Sequence, residues 1–423
     1  MTSEPTSPLK IRDFRLFWLA RFSATFATIA MVTVIAAQTY QIARLDYGMD
    51  KSQAAFQLGL LGFFQFVPLL VMTPVAGWVA DRLDRRLVGA AANGLDLIIA
   101  GTLAVTSQTG LHSLPVMFFL AGLHGAARVF ISPAMSAMVP NLVPTNLLPK
   151  AIALSATAWQ VASVAGPAAG GLLLARSPAL AYTASCALLL LTIATVLAIT
   201  PLPRATETQH LHPVTMMRDG ALFVLKQRFL LGCVTLDLFA VLLGGATALL
   251  PVYAYDVLHV GAEGFGLLRA APAVGAVAVS LWLAAKPLQH NVGVKMLWAV
   301  AVFGAATVAF GLSHSFVFSL ATLAILGASD MISVFIRSTL TQLYTPDAMR
   351  GRVNSITGLA ISASNELGEM QSGLAAALLG VTGAVVFGGV GAIVVTGLWA
   401  WWFPEIRRAR TFAPQFPDKE HAT

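Results

Sequence analysis

Residues 58–86 read LGLLGFFQFVPLLVMTPVAGWVADRLDRR. The stretch 58–80 contains no Asp, Glu, Lys or Arg, and it is long enough for a helix across the hydrocarbon core of a bilayer, which takes about 20 mostly apolar residues. The six residues that follow, 81–86, include three arginines. A long apolar run that ends in a basic loop predicts a transmembrane helix whose end faces the cytoplasm.

The composition of the whole chain extends this prediction. Of its 423 residues, 57% are hydrophobic and 11% are charged, whereas a soluble chain carries about 25% charged residues. The mean hydropathy is +0.77, so a bilayer must cover much of the apolar surface. Twelve runs have the length of a spanning helix, which predicts an all-α membrane protein of twelve transmembrane helices; they are residues 16–38, 58–80, 87–107, 114–139, 148–175, 178–200, 229–255, 265–285, 294–313, 316–343, 353–379 and 384–403.

The positions of the basic residues test the number of helices. If the N-terminus is cytoplasmic, 19 of the 26 Lys and Arg fall in or beside loops on the cytoplasmic side, three fall outside and four lie deeper within helices. Cytoplasmic loops carry an excess of Lys and Arg. We therefore predict that both termini are cytoplasmic.

A long loop divides the chain near its middle. Residues 201–228 are rich in Pro, Thr and His, and we predict a six-helix bundle over 1–200, a cytoplasmic linker over 201–228, a second six-helix bundle over 229–404 and a cytoplasmic tail over 405–423. The bundles look related, because Val143-Pro144 and Thr345-Pro346 precede matching helices and Gly171 matches Gly373 at the same offset. Parallel six-helix repeats are one known transporter architecture.

The basic loop after the second helix contains the most specific motif, Gly77-Trp-Val-Ala-Asp81-Arg82-Leu-Asp84-Arg85-Arg86. It resembles the signature G-x-x-x-D-R-x-G-R-R/K of the major facilitator superfamily. Gly77 allows another helix to approach closely, and Asp81 can accept hydrogen bonds from a helix N-terminus. In the family that contact closes the cytoplasmic side, and the loop arginines hold acidic partners or lipid phosphates; here they are Arg82, Arg85 and Arg86. Asp84 replaces the usual glycine, and we expect it to adopt the left-handed backbone that Asp tolerates.

Four further segments resemble parts of that superfamily. Gly166-Pro167-Ala-Ala-Gly170-Gly171 is similar to the fifth-helix motif of proton-driven exporters, in which proline permits a bend and glycines allow tight packing; ordinary packing of small residues is the alternative. The segments 12–22, 345–354 and 365–369 resemble a bacterial branch of efflux proteins that contains the enterobactin exporters. The resemblance implies a multi-pass protein of the bacterial cytoplasmic (inner) membrane.

Nine ionisable residues lie within the predicted spans, and each could cost about 2.5–3.5 kcal/mol at mid-helix. Arg21, Arg269 and Arg337 lie nearer helix ends, where we expect structural roles. The six deeper residues are candidates for a substrate or proton pathway: Asp96, Arg128, Asp237, Asp330, Glu366 and Glu369.

Sequence position suggests how these six residues pair. Arg128 and Asp330 match at the repeat offset, and in the resembled fold their helices line the central cavity, so we hypothesise that they face each other. The alternative pairs Arg128 with Asp96. Glu366 and Glu369 are neighbours on one helix face, where two carboxylates away from water resist joint ionisation; this suits a proton carrier, and polar helix contacts are the alternative.

These features together predict a secondary transporter that works by alternating access. We expect proton-coupled export of an amphipathic organic molecule, either drug-like or a siderophore. The alternatives are a proton-linked importer of the same fold and a non-transporting membrane sensor or scaffold. The sequence has no Walker A motif, no metal-ligand cluster and no nucleophile with a base, so we expect no enzyme activity, no cofactor and no metal. The expected partners are the small-molecule substrate, protons and the lipid bilayer, without nucleic acid, and we expect a monomer.

Overall fold

The computed structural model describes residues 7–111, 113–201, 213–286 and 288–413, except for the side chains of residues 74, 77, 78, 80, 81, 213, 214, 347 and 348. Every spanning element in these ranges is helical. The elements are α1 (Arg12–Gln41), α2 (Lys51–Arg82), α3 (Arg85–Thr109), α4 (Leu114–Leu142), α5 (Leu148–Leu174), α6 (Pro178–Leu197), α7 (Arg228–Val257), α8 (Gly261–Ala285), α9 (Val292–Gly311), α10 (Phe316–Tyr344), and α11 and α12 within Asp347–Trp402.

The predicted all-α fold with twelve spans is confirmed. Ten described helical stretches are long and apolar enough to cross a membrane. One of them, Asp347–Trp402, is two helices joined at Gly380, whose φ of 74° and ψ of 166° are not helical, so α11 covers residues 347–379 and α12 covers 381–402. The twelfth span is α5, which has 27 residues but is diluted in hydropathy by its Gln, Ser and Gly residues.

Local sequence explains where several helices begin. Ser177 caps α6 by accepting a hydrogen bond from the Leu180 amide at 3.1 Å, and Pro178 occupies the first turn. A proline there loses nothing, because the first amides of a helix have no intrahelical partner. Ser315 caps α10 in the same way, through the Phe318 amide. These caps satisfy backbone groups where each chain segment enters the bilayer.

Helix α7 is interrupted within the membrane. Its first segment, Arg228–Leu243, ends at Gly244, and a 3₁₀ turn over Ala246–Leu249 follows. Beyond it, the backbone passes through Leu250–Val252 into a wide turn over Tyr253–Val257. The interruption coincides with a close approach to α11, since a Cβ built on Gly245 would lie 2.5 Å from the Gly368 carbonyl oxygen.

The chain forms two compact units. The first contains the described residues of Met1–Tyr47, Phe64–His210 and Val260–Ala270, and the second contains those of Gly48–Phe63, Leu211–His259 and Ala271–Thr423. In the first unit, an apolar core joins α1, α4, α5 and α6 around Phe14, Phe17, Met138 and Ile199, each no more than 1% exposed.

The second unit carries two additional helices outside the spans. The predicted linker contains a helix over Pro213–Lys226, hereafter the linker helix, which the Pro, Thr and His content of that stretch did not suggest. It packs on the start of α11, where Arg352 contacts Asp219 at 3.2 Å. The tail begins with a short helix, Pro404–Arg408, and is held by a hydrogen bond of 3.0 Å from the Gly293 amide to the Ala409 carbonyl.

Candidate functional site

The main candidate site is a buried ion pair in the second unit. Asp237 lies within the first segment of α7, and Arg337 lies in the last third of α10. Their side chains form a salt bridge and are 6% and 7% exposed. The apolar runs that make α7 and α10 hydrophobic also exclude water from this pair, which strengthens the attraction and makes a single unpaired partner costly.

A cavity of about 100 Å³ opens beside this ion pair. Its apolar lining residues include Val234, Leu238 and Ile361. Hydroxyl and amide groups line it as well, together with the ion pair itself; they are Ser338, Thr341, Gln342, Asn354 and Thr357. Aliphatic groups beside a guanidinium, a carboxylate and neutral hydrogen-bonding groups can contact part of an amphipathic organic molecule.

Asp330 adds a second carboxylate to this region. It is two helical turns from Arg337 on α10, so the two lie on the same face, and it lines a small pocket together with Asp237 and Ser333. Two carboxylates and one guanidinium carry a net charge of −1 when all are ionised. A proton on one carboxyl group makes the three side chains neutral overall. Such a neutral set avoids the cost of an uncompensated charge in the membrane.

Glu366 and Glu369 lie elsewhere in the second unit, on the face of α11 that meets α2. A Cβ built on Gly62 of α2 would lie 2.8 Å from the Glu366 carbonyl oxygen and 2.8 Å from the Glu369 Cβ. Glu366 is 5% exposed. The structure thus places this glutamate pair at a tight helix contact, away from the residues that line the cavity.

The first unit holds Asp96 and Arg128. The Asp96 carboxylate on α3 forms a hydrogen bond with His124 on α4. The distance from Asp96 Oδ1 to His124 Nδ1 is 2.9 Å. The second carboxylate oxygen, Oδ2, has no hydrogen-bond partner among the described residues. The alternative pairing of Asp96 with Arg128 stays a prediction. Arg128 is half-buried in the first unit, whereas Asp330 belongs to the second, and their facing each other stays a prediction.

The basic loop between α2 and α3 corrects one expectation. Asp84 has φ −60° and ψ 114°, which is extended rather than left-handed. Its carboxylate accepts a hydrogen bond of 2.9 Å from the Arg86 amide and pairs with the Arg86 side chain at 2.7 Å. The acid therefore caps α3, a position for which Asp is strongly preferred, and this role explains the extended backbone.

The arginines of that loop contact carbonyl groups of their own unit. Arg85 donates to the Ala137 carbonyl in the last turns of α4 at 2.7 Å, and Arg86 donates to the Ile199 carbonyl just beyond α6. Cations are favoured near the C-terminal ends of helices, where the helix dipole is negative. Arg82 is exposed at the end of α2. The side chains of Gly77 and Asp81 lie outside the described residues.

The motif of α5 provides two close helix contacts within the first unit. A Cβ on Gly170 would lie 3.0 Å from the Ala30 carbonyl of α1, and Gly166 faces Ile29 at 3.3 Å. On another side, a Cβ on Gly171 would lie 2.6 Å from the Gly266 Cα of α8. Pro167 is buried between these glycines, and its carbonyl group also faces Gly266.

Two residues of these sites were not predicted from the sequence. Arg337 was expected to be structural because it lies near a helix end, yet it pairs with Asp237 in the cavity wall. His124 was one polar residue among several in the spans. A spacing of seven residues between Asp330 and Arg337, which puts both on one helix face, was the available signal for the first; nothing in the sequence joins His124 to Asp96.

Twelve membrane spans, a cavity lined by a buried ion pair and further buried carboxylates define a membrane transporter. Comparison with known proteins agrees, since the family model described as Major Facilitator Superfamily matches residues 16–369. The chain belongs to the Major Facilitator Superfamily, and it is a multi-pass secondary transporter rather than an enzyme.

Curated relatives match along nearly the whole chain. The enterobactin exporter EntS of Citrobacter koseri is 28% identical over 414 residues, covering 96% of this chain and 95% of the relative. EntS of Escherichia coli O1:K1 / APEC is 27% identical over 413 residues, covering 95% and 94%. The predicted resemblance to this branch is thereby confirmed.

Solved structures show the same fold at low sequence identity. A D-xylose-proton symporter aligns with a TM-score of 0.72 at 15% identity, covering 93% of this chain and 97% of the other. The inward-open xylose transporter XylE from E. coli aligns with a TM-score of 0.70 at 13% identity, covering 97% and 98%.

Proposed function

We propose that this transporter exports an amphipathic organic molecule, of the siderophore or drug-like class, in exchange for protons that move inward. The observation that carries the proposal is the cavity of the second unit, where aliphatic and neutral polar side chains lie beside the buried ion pair of Asp237 and Arg337. The full-length similarity to enterobactin exporters supports both the outward direction and the siderophore class.

Cargo recognition follows from the chemistry of the cavity. Arg337 offers a planar fork of donors to an anionic or hydroxyl-rich group, and Asn354 and Thr341 offer further hydrogen bonds. The aliphatic side chains contact the apolar body of the cargo. Donor groups of the cargo bind the ionised carboxylates of Asp237 and Asp330, which links cargo binding to the charge state of these two residues.

Exchange requires that cargo and proton exclude each other at the site. A proton taken up from outside neutralises Asp237 or Asp330 and removes an acceptor and a negative charge that cargo donors need, so cargo is released there. Loss of that proton to the inside restores the ionised carboxylates for the next cargo molecule. Glu366 and Glu369 are further candidate proton carriers, and Asp96 and Arg128 complete the proposed pathway.

Conformational control is assigned to the two glycine-rich motifs. The proposed gating residues are Gly77, Asp81, Arg82, Arg85 and Arg86 after α2, and Gly166, Pro167, Gly170 and Gly171 in α5. The excess of Lys and Arg in one set of loops supports cytoplasmic N- and C-termini in a bacterial inner membrane. We propose a monomer, since one chain contains both repeats.

The test uses full-length protein in proteoliposomes with an imposed pH gradient and a pH-sensitive dye inside. Siderophores and amphipathic drugs are added one at a time, and the expected result is a cargo-dependent collapse of the gradient. Asp237→Asn and Asp330→Asn should each abolish cargo-linked proton movement.

Two matched controls make this test specific. Asp50→Asn changes an exposed aspartate that caps α2 through the Gln53 amide at 2.8 Å, and Asn retains that cap; it should behave as wild type. For the pair Glu366→Gln and Glu369→Gln, the control is Glu263→Gln at an exposed position in α8. Cargo movement that is independent of the pH gradient would contradict proton coupling.

A further inference from the structure

The first unit contains a buried acid–base pair, Asp96 with His124, and the transport mechanism above assigns no role to its histidine. Asp96 lies near the middle of α3 and His124 lies near the middle of the membrane-spanning part of α4. The two side chains are 0% and 1% exposed, and the Asp96 Oδ1 to His124 Nδ1 distance is 2.9 Å. Such a pair is far from either end of its helices.

Three polar atoms around this pair have no hydrogen-bond partner among the described residues. They are Asp96 Oδ2, His124 Nε2 and Asn93 Oδ1. Asn93, which is 0% exposed, uses its amide nitrogen to donate to the Gly89 carbonyl at 2.7 Å. Asn93 is three residues before Asp96 and therefore its neighbour on α3. Buried polar atoms without a partner are costly, so a pair that retains two of them, beside a third, points to a ligand of this site.

We infer that Asp96 and His124 form a proton-binding site in the first unit, which cycles between one shared proton and none. With one proton, the pair is neutral overall, either as carboxylic acid with imidazole or as carboxylate with imidazolium. With none, it carries a charge of −1. The proton moves between Asp96 or His124 and water, and no other bond is formed or broken.

Charged and titratable groups also lie on the helices of the first unit that pack around the pair. They include Arg12, Asp13, Arg15, Arg21 and Tyr40 on α1, Arg82 at the end of α2, Arg85 and Arg86 on α3, Arg128 on α4, Lys150 at the start of α5, and Tyr182 and Cys186 on α6. Arg128 is four residues after His124 and thus on the same face of α4.

A proton fits the site better than a metal cation. The unpartnered acceptors are two oxygens, from Asn93 and Asp96, whereas hard cations take six or more oxygen ligands. The remaining atom, His124 Nε2, is a nitrogen that binds a proton directly.

This inference deepens the proposed proton coupling and rests on it for its role in transport, but proton binding is measured separately. Full-length, cargo-free protein with ¹⁵N-labelled histidine is placed in nanodiscs, and the imidazole signals are followed with pH by NMR. The His124 signal is assigned by its loss in His124→Gln, with His314→Gln at an exposed position as the matched control. We expect the His124 signal to shift with pH, and we expect Asp96→Asn to displace that shift.

The same variants are then assayed in proteoliposomes. Asp96→Asn should lower the number of protons moved per cargo while cargo still moves down its own gradient. A His124 signal that does not change with pH, or one that is unaffected by Asp96→Asn, would overturn the site. A shift produced by sodium at constant pH would overturn it as well, in favour of a cation.

The outcomes separate this inference from the proposed function. If wild-type protein moves no protons with cargo but His124 titrates with Asp96, the coupling proposal fails and the site stands. If cargo-linked proton movement depends on Asp237 and Asp330 while His124 does not titrate, the site alone fails. Should His124→Gln not fold, Asp96→Asn, which preserves side-chain shape, provides the comparison.

Discussion

Gly373 of α11 and Gly59 of α2 lie backbone against backbone. A Cβ built on Gly373 would lie 2.6 Å from the Gly59 Cα, and one built on Gly59 would lie 2.8 Å from the Gly373 Cα. Gly171 and Gly266 make the same kind of contact between α5 and α8 in the first unit. The two glycines that match at the repeat offset, Gly171 and Gly373, therefore occupy equivalent contacts.

Gly373→Leu should separate α2 from α11, because the added side chain has no room and overpacking costs about 1–3 kcal/mol. The measurement is labelling of Ala55→Cys, a fully buried position beside Gly373, with a membrane-impermeant maleimide. Labelling should be faster and transport slower in the Gly373→Leu background. Gly397→Leu, on α12 with nothing within 4 Å of its added Cβ, is the control, and equal labelling in the two backgrounds would refute the prediction.

Replacing one partner of the Asp237–Arg337 pair should be more harmful to stability than replacing both. Arg337→Ala leaves a buried carboxylate without its counter-charge, which costs about 3–5 kcal/mol. The double variant Asp237→Leu with Arg337→Met removes both charges and should regain most of the thermal stability in detergent. It should nevertheless transport no cargo, because the proposed binding groups are gone. Additive losses of stability in the double variant would show that the two side chains act independently.

Asp84 should stabilise the start of α3 by two separable contacts. Asp84→Asn retains the cap and removes the ion pair with Arg86, while Asp84→Ala removes both. The cap accounts for about 1 kcal/mol, and the partly exposed ion pair adds about 0–1 kcal/mol. Thermal unfolding midpoints should therefore fall in the order wild type, Asn, Ala. An alanine variant as stable as the asparagine variant would mean that the cap contributes nothing.

Gly220→Leu should detach the linker helix from α11. A Cβ on Gly220 would lie 2.5 Å from the Arg352 carbonyl oxygen, so the helix cannot keep its contact or the Asp219–Arg352 salt bridge. Tryptic cleavage after Arg218, whose side chain is 72% exposed, should be accelerated. Gly351→Leu adds the same side chain to a helix with nothing within 4 Å and should leave the cleavage rate unchanged. Unaltered cleavage in Gly220→Leu would contradict the packing.

The fold was largely predictable because each spanning helix must be locally apolar along its length. Helix starts were predictable to within a few residues where a capping serine marks them, as at Pro178 and Phe316. The linker helix was missed because it gains its stability from packing on α11 rather than from its own composition.

Site residues were predictable singly but not in their pairings. A charged residue within an apolar run is recognisable from the sequence as a candidate site residue. Examples are Asp96, Asp237 and Asp330. Their partners depend on helix packing, which brings Arg337 to Asp237 and His124 to Asp96 over long separations in sequence. The backbone of Asp84 was mispredicted because family similarity emphasises the turn, whereas the helix beginning one residue later demands a cap.

The interruption of α7 at Gly244 and Gly245 divides this helix into two rigid segments joined by a hinge. Asp237 lies on the first segment. The second is anchored separately, since the Tyr253 hydroxyl donates to the Gly311 carbonyl at 2.7 Å. A tilt of the first segment can therefore separate Asp237 from Arg337 without moving Tyr253. The ion pair can break and form again while the second segment keeps its hydrogen bond to Gly311.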